Sequence, residues 1–241
     1  SVSGKQIWAS KTFEPTESKA ITGAPRAFNN MVVIGHGGAE YGTRGYVSAY
    51  DADSGEQLWR FYTVPGNPAD GFESSAMEMA AETWFGEWWK TGGGGTVWDG
   101  ITYDEELDQL YIGVGNGDPW DYDLRSHGKG DNLFLGSIVA LDPNTGKYLW
   151  HYQSLPGERW DFKSTQDMIL TDLVIDGKSR KVLMQAHMNG HFYILDRNDG
   201  QLLSAAKYAK STWAEYIDLD TGRPILSEEA KYRDGGPSRI W

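Results

Sequence analysis

Residues 51–59, DADSGEQLW, and residues 142–150, DPNTGKYLW, follow one pattern that decides the fold. Each segment opens with an Asp, reaches a Gly at its fifth position and ends in Leu-Trp. An Asp side-chain oxygen can hold a turn, the Gly supplies a positive φ, and apolar residues resume on both sides. Each segment therefore predicts a strand, a tight turn and a second strand.

Further copies of this turn occur along the chain. Residues 3–8 (SGKQIW) give a partial copy, residues 196–203 (DRNDGQLL) a copy without its Trp, and residues 218–222 (DLDTG) a shorter one. The turn glycines recur about every 50 residues, with one longer interval that carries an insertion at roughly residues 65–95. Units of about 40–50 residues built from short strands indicate a β-propeller with one four-stranded blade per unit.

The segments around these turns have structural interpretations. We expect Trp8, Trp59 and Trp150 to pack between neighbouring blades, since Trp in a repeat is usually part of the core. Residues 75–78 (SAME) have the form of a capping box and predict a helix through about Trp89. Short β-rich runs predict strands at residues 31–35, 45–50, 109–114, 137–141, 181–186 and 192–195.

Composition excludes several classes of function. The chain has 241 residues, is 39% hydrophobic and carries a net charge of −12 without any basic block, so we expect no nucleic-acid partner. It has 0 Cys, which excludes disulfides, zinc–thiolate sites and Cys-linked haem in this sequence. No apolar run reaches the roughly 18 residues of a membrane span, so we expect no transmembrane segment.

The repeats amount to about four blades of an all-β propeller, which is the low end of the known range for a closed ring. The first residue is Ser1 rather than Met. We therefore expect residues 1–241 to form one partial β-propeller domain, without a second domain, that is a segment of a longer protein.

Glycine-rich loops carry the candidate site. Four glycines at residues 92–95 can let a backbone approach a flat group closely, and Trp98 can then provide a stacking surface. Asn116 lies between two glycines and can offer its amide oxygen to a cation. Taken alone, the glycine run also fits a flexible loop, Asn116 a turn residue, and both Glu40 and Asp161 solvated loop acids.

Six segments together resemble the pyrroloquinoline quinone (PQQ)-dependent alcohol dehydrogenases, the quinoprotein family. They are residues 21–25 (ITGAP), 37–46 (GGAEYGTRGY), 92–99 (GGGGTVWD), 113–120 (GVGNGDPW), 131–133 (DNL) and 160–162 (WDF). The resemblance runs to about Ala205, and residues 82–95 are more similar to the quinohaemoprotein alcohol dehydrogenases than to the methanol dehydrogenases. It implies a segment of an eight-bladed propeller, in a periplasmic enzyme that oxidises primary alcohols to aldehydes.

The resemblance also implies roles for individual residues. Glu40 and Asn116 match ligands of an active-site Ca²⁺, and Trp98 matches the ring on which PQQ lies. Asp161 matches the catalytic base, and we also expect it to be a ligand of the metal. The positions that contact the cofactor are matched by Thr22, Gly38, Ala39 and Thr96. Ca²⁺ takes about six to eight oxygen ligands, so bound PQQ would supply the rest. The metal would polarise the quinone carbonyl while the base takes the alcohol proton.

Two residues depart from the family pattern. Lys163 stands where the lanthanide-using members carry an extra Asp, so the sequence is similar to the calcium type. Met188 stands where the family usually has Lys or Arg, and a thioether cannot donate a hydrogen bond to the quinone. Cofactor affinity is therefore in question at Met188, and the neighbouring His187 is a poor substitute donor.

The resemblance implies a cytochrome c or a quinone as electron acceptor and a small alcohol as substrate. A haem c would belong to another domain of a longer protein, and we expect this segment alone to be inactive. Two alternatives stay open: a non-catalytic β-propeller scaffold that binds proteins in the cell envelope, and a quinoprotein that acts on sugars or other polyols. The ligand set separates the scaffold from the enzymes.

Overall fold

The structure is a computed structural model and describes residues 3–228. Within this range the chain forms three four-stranded antiparallel sheets and one two-stranded sheet, with consecutive strands paired side by side. The strands of the first sheet are β1 (Arg26–Phe28), β2 (Met31–Gly35), β3 (Tyr46–Asp51) and β4 (Gln57–Tyr62). Those of the second are β5 (Ile101–Asp104), β6 (Gln109–Gly113), β7 (Ser137–Leu141) and β8 (Tyr148–Gln153). The third sheet and the last pair contain β9 (Ile169–Ile175), β10 (Lys178–Ala186), β11 (His191–Asp196), β12 (Leu202–Lys207), β13 (Ala214–Ile217) and β14 (Pro224–Leu226).

The repeated turn has the predicted geometry. Asp142 Oδ1 accepts hydrogen bonds from the backbone N–H groups of Asn144 at 2.8 Å and Thr145 at 3.0 Å. Gly146 has φ +67 and donates its N–H to the Asp142 carbonyl at 2.9 Å. The Asp–Gly backbone bond recurs in the turns that contain Gly55, Gly200 and Gly222. The repeats therefore place the third-to-fourth-strand turn of each sheet, and the turn of the final pair.

The Trp side chains pack between repeats, which confirms their structural interpretation. Trp59 Nε1 donates to the Pro143 carbonyl at 2.8 Å, and a Cβ added to Gly146 would lie 2.6 Å from the Trp59 ring. Trp150 covers Gly200 in the same way, and Trp8 covers Gly55. Each ring therefore seals the turn of the next repeat, and only glycine leaves room for it.

The insertion between β4 and β5 contains less helix than the sequence predicts. Helix α1 spans Ser75–Ala81, and its N-cap is Ser74, whose Oγ accepts from the Met77 N–H at 3.3 Å. The prediction of a helix through Trp89 is wrong, because the chain leaves α1 through tighter turns and forms only a 3₁₀ turn at Trp88–Lys90. A second short helix, α2, spans Tyr122–Ser126.

The core lies between successive sheets. One cluster joins the first two sheets and includes Val47, Ile112 and Val139, and another joins the second and third sheets and includes Tyr111 and Leu195. In the insertion, Trp84 and Trp88 form a smaller cluster with Val64 and Leu135. No helix among residues 3–228 is long and apolar enough to cross a membrane.

Candidate functional site

The predicted site residues come from equivalent links of three consecutive sheets. Thr22, Trp98 and Asp161 precede the first strands of the first, second and third sheets. Glu40 and Asn116 lie between the second and third strands of the first and second sheets. In an antiparallel sheet the start of the first strand lies beside the end of the second. The fold therefore brings both kinds of link to the same end of the sheets.

The glycine run is a packed backbone bridge between two of these links. Gly94 donates its N–H to the Thr43 carbonyl at 3.1 Å and accepts from the Gly45 N–H at 2.8 Å. On its other side, Gly95 donates to the Asn116 carbonyl at 2.8 Å. Gly94 has φ +78, and a Cβ there would lie 2.6 Å from the Asn116 carbonyl oxygen. The flexible-loop interpretation is therefore wrong, because these glycines pack closely between the segment that contains Thr43 and the segment that contains Asn116.

Two of the three predicted metal ligands, Glu40 and Asn116, meet beside this bridge. Glu40 is exposed in a single 3₁₀ turn, Ala39–Tyr41, and Asn116 is buried at 2% exposure. Asn116 Nδ2 lies 3.4 Å from Glu40 Oε1. Rotation of the amide would present its oxygen to a cation held by Glu40, since an amide carries a donor on one side and an acceptor on the other. The pair thus supplies the hard oxygen donors that Ca²⁺ prefers.

Asp118 is a further acid at this point that sequence reasoning missed. Burial raises the pKa of its carboxyl, and the neighbouring Glu40 carboxylate raises the pKa further. The sequence gave a weak signal, an Asp two residues after Asn116 in a turn where Asp is common. Within residues 3–228, no group of three or more His, Cys, Asp or Glu side chains can hold a metal ion. A cation held by Glu40 and Asn116 would need further oxygen ligands besides these two.

Trp98 is half-buried and follows the glycine bridge by three residues. Its backbone is covered by Gly23, where a Cβ would lie 2.0 Å from the Trp98 carbonyl oxygen. Gly37 packs beside the Trp98 side chain: a Cβ added to Gly37 would lie 3.7 Å from the Trp98 Cβ. Thr22, one residue before Gly23, is exposed. The links of the first two sheets thus place Thr22 beside the Trp98 segment, as a common cofactor pocket requires.

The remaining predicted cofactor contacts are held in the same loops. Gly38 has φ +101, and its carbonyl accepts from Thr43 Oγ1 at 2.9 Å. Ala39 is buried at 1% exposure, as is Thr96, whose carbonyl accepts from the Gly115 N–H at 3.0 Å. Ala39 and Thr96 therefore lie beneath the surface of these loops.

Asp161 lies on a constrained turn and points to an accessible position. Its φ is +60, an uncommon value for a residue with a side chain. The carboxylate remains 37% exposed and pairs with Lys163, whose Nζ lies 3.1 Å from Oδ1. The ion pair engages one carboxylate oxygen, while the side chain stays partly accessible to solvent.

Glu158 is a buried acid that sequence reasoning did not identify. Its Oε1 accepts from the Trp160 N–H at 2.7 Å and the Phe162 N–H at 3.1 Å, and its Oε2 accepts from the Gly117 N–H at 3.2 Å. Burial raises the pKa of this carboxyl, and the charge of Arg125 opposes that effect. The sequence around it, PGERW, is typical of a surface turn and gave no signal of burial.

Met188 occupies the corresponding link of the third sheet, between β10 and β11, and is 43% exposed. The neighbouring His187 is fully buried, with Nε2 lying 2.9 Å from Ser164 Oγ and 3.1 Å from Ser154 Oγ. Its Nδ1 accepts from the Asn189 N–H at 3.1 Å. Burial lowers the pKa of His187 to about 3, so the ring is neutral at physiological pH. Both nitrogens are engaged, and His187 cannot replace a donor at position 188.

Known proteins resemble the chain over almost its whole length. The family model named PQQ, described as the β-propeller domain of glucose, ethanol and alcohol dehydrogenases, matches residues 6–210. The quinohemoprotein alcohol dehydrogenase ADH IIB of Pseudomonas putida is 58% identical over 239 residues, which are 99% of this chain and 34% of that protein. The crystal structure of the quinohemoprotein alcohol dehydrogenase from Comamonas testosteroni matches with a TM-score of 0.93 at 53% identity, covering 97% of this chain and 35% of that one. A europium-containing methanol dehydrogenase matches with a TM-score of 0.83 at 36% identity, covering 94% of this chain and 40% of that one.

The chain therefore spans about a third of the length of the curated relatives that it matches. The matches confirm the all-β fold class and the propeller interpretation of the repeats. They cover every link that carries a predicted site residue.

Proposed function

We infer the function from one premise: this chain belongs to the PQQ family of glucose, ethanol and alcohol dehydrogenase β-propellers. We propose that the longer protein of which it is a part oxidises a primary alcohol to an aldehyde with PQQ as cofactor. The observation that carries the proposal is the contact of Glu40 with Asn116, 3.4 Å apart, in links that the glycine bridge joins to Trp98. A scaffold would have no need of this arrangement.

The residues present fit a quinone and a hard cation. Trp98 offers a flat wall whose backbone is packed against Gly23, so that the ring can stack on a planar cofactor. Glu40 and Asn116 offer carboxylate and amide oxygens. We propose Ca²⁺ as the cation, because Lys163 adds a positive charge beside Asp161 that disfavours an ion of higher charge.

The reaction needs a base, an oriented alcohol and an electron acceptor. PQQ, when bound, supplies the acceptor for the hydride of the alcohol carbon. Asp161 takes the hydroxyl proton; its side chain is 37% exposed, and its Oδ1 pairs with Lys163. Lys163 holds the carboxylate in one orientation, and Glu40 and Asn116 would hold a cation that could orient the alcohol oxygen. The Trp98 ring would exclude water from the face of the cofactor that stacks on it.

The electron acceptor and the compartment follow the family pattern. We propose that a cytochrome c or a membrane quinone takes the electrons, and that the protein works in the periplasm. Reduction of added cytochrome c or of a soluble ubiquinone analogue by ethanol-reduced protein distinguishes the two acceptors. Recovery of the protein in an osmotic-shock fraction tests the compartment.

An absorption spectrum of the full-length protein tests the function. The protein is incubated with PQQ and Ca²⁺, freed of excess, and measured before and after ethanol. We expect a retained quinone band that ethanol changes to that of the reduced form, with a haem band if a cytochrome domain is present. A protein that retains no quinone would contradict the proposal and favour a non-catalytic propeller in which Met188 marks a lost site.

A further inference from the structure

Glu158 has a position that the proposed mechanism leaves unexplained. It is 0% exposed, although it lies in a loop between β8 and β9 where an acid would ordinarily be solvated. Its two carboxylate oxygens accept from three backbone N–H groups in two separate loops. A buried carboxylate that is fully used as a backbone acceptor fixes the geometry of the segments it joins.

One oxygen of Glu158 fixes the turn that carries Asp161. Oε1 accepts from Trp160 at 2.7 Å and from Phe162 at 3.1 Å, so the two donors flank Asp161 on either side. Asp161 itself has φ +60, a conformation that residues with a side chain hold only when the surroundings impose it. The shared acceptor supplies that constraint and sets the direction of the Asp161 side chain.

The other oxygen of Glu158 reaches the second loop. Oε2 accepts at 3.2 Å from the N–H of Gly117, the residue directly after Asn116. Arg125 closes this contact from below, because a Cβ at Gly117 would lie 2.4 Å from its guanidinium carbon. Arg125 also donates to the backbone oxygens of Glu158 and Pro119. The Asn116 turn is thus held between Arg125 and the Glu158 carboxylate.

We propose that Glu158 is a positioning residue that sets the separation and orientation of Asp161 relative to Asn116. The inference rests on the proposed function, in which these two side chains serve as base and as metal ligand. Only a carboxylate satisfies both loops. A glutamine has one acceptor oxygen, so its NH₂ group would face either the Gly117 N–H or the Trp160 and Phe162 pair, and one of the two loops would lose its anchor.

The test compares Glu158→Gln with Asp104→Asn in the full-length protein. Asp104 is a matched control, because it is 2% exposed and its Oδ1 accepts from two backbone N–H groups, those of Glu106 and Leu107. It lies at the β5–β6 turn and contacts none of the predicted site loops through those bonds. Amide hydrogen exchange by mass spectrometry is measured without PQQ or Ca²⁺, for peptides covering residues 113–120 and 158–164.

The second measurement is the steady-state kinetics of the full-length enzyme with PQQ and Ca²⁺ bound. A displacement of the order of 1 Å can cost about 100-fold in rate. We therefore expect Glu158→Gln to lower kcat by about 10- to 100-fold with a much smaller change in the KM for ethanol, and to raise the Ca²⁺ concentration needed to retain PQQ. We expect faster exchange in at least one of the two peptides for Glu158→Gln and in neither for Asp104→Asn.

Unchanged exchange in both peptides would overturn the proposal, as would a wild-type kcat in Glu158→Gln or an equal loss of kcat in Asp104→Asn. A wild-type protein that neither retains nor reduces PQQ would refute the proposed function instead. The exchange measurement needs no cofactor, so it would still decide whether Glu158 anchors the two loops.

Discussion

The Asp161 carboxylate is partly exposed, pairs with Lys163 and lies on a residue with φ +60. Replacement by Asn keeps the size of the side chain but removes the capacity to take a proton at neutral pH. General-base catalysis contributes about 10²- to 10⁴-fold, so we expect Asp161→Asn to lower kcat by at least 100-fold. PQQ retention, measured by absorption, should be unchanged.

The control for this variant is Asp167→Asn, an exposed acid a few residues along the same loop. It should leave both turnover and PQQ retention at wild-type values. Normal turnover in Asp161→Asn would exclude Asp161 as the base, and loss of PQQ in that variant would show that its role is in binding.

A second prediction concerns Met188, where we expect a substitution to raise the affinity for PQQ. The side chain is 43% exposed in the link equivalent to those that carry Glu40 and Asn116. Met188→Lys would add a cationic donor, and hydrogen bonds to charged groups contribute about 1.5–3 kcal/mol. We expect the PQQ concentration for half-saturation, followed by fluorescence quenching, to fall about tenfold or more.

Met188→Leu is the matched control, because it keeps the apolar character without adding a donor. It should bind PQQ as the wild type does. Equal affinity of the Lys and Leu variants would show that position 188 lies away from the cofactor, and the departure from the family pattern would then have no bearing on affinity.

Sequence reasoning identified the side chains that stand in recognisable local patterns. Glu40 and Asn116 were named because they lie among glycines in a family motif, and their contact is consistent with that assignment. Glu158 was missed, because its burial depends on backbone donors from a loop about 40 residues earlier in the chain, and nothing in PGERW indicates them. Residues within a recognisable motif could be predicted, whereas a buried acid outside any motif could not.

The strand–turn–strand unit explains why the fold could be predicted from so little sequence. An Asp and a Gly set the turn through bonds within five residues, so the signal is local. Strand β9 had no such signal. It is the edge strand of its sheet, and Ile169 and Val174 on it are 60% and 76% exposed, so the alternation of apolar and polar residues that marks a half-buried strand is absent.

The packing of Trp against the turn glycines predicts a specific loss of stability. Gly200 has φ +79, and a Cβ there would lie 2.4 Å from Trp150, whereas Gly177 has φ +73 with nothing within 4 Å. Alanine at either position would incur the backbone cost of positive φ, about 1–2 kcal/mol. Gly200→Ala should cost about 1–3 kcal/mol more through displacement of the ring.

Thermal unfolding followed by circular dichroism measures this difference. We expect the Tm of Gly200→Ala to lie at least about 2 °C below that of Gly177→Ala. Equal Tm values would mean that the ring shifts at no cost, and the Trp would then not be what seals one repeat against the next.

Two kinds of link, repeated in three successive sheets, assemble one site from residues far apart in the chain. This arrangement makes the site depend on the relative placement of sheets, which the inter-repeat core and the glycine bridge maintain. The protein as a whole therefore loses function when its sheets separate, and any condition that charges the core between them should act on both stability and activity.

Low pH is one such condition, because it favours protonation of buried histidines. Burial lowers the pKa of His36 to about 4 and that of His187 to about 3, and burial followed by the charge of Lys207 lowers that of His191 to about 4. In the unfolded chain these groups titrate near 6.5, so below that pH the unfolded state binds more protons than the folded state. The contribution of these three histidines to the free energy of unfolding is therefore fully present above about pH 6.5 and is lost as the pH falls towards 4.

His191 allows this dependence to be tested at one residue, because neither of its ring nitrogens has a hydrogen-bond partner among residues 3–228. Each histidine of this kind costs about 2 kcal/mol between pH 6.5 and pH 5. His191→Leu should reduce the loss of unfolding free energy over that interval by about this amount, measured by urea denaturation at the two pH values. His127→Gln, at an exposed position, should leave the loss unchanged. An unaltered pH dependence in His191→Leu would mean that His191 has the same pKa in the folded and unfolded protein, and the acid sensitivity of the protein would then have another origin.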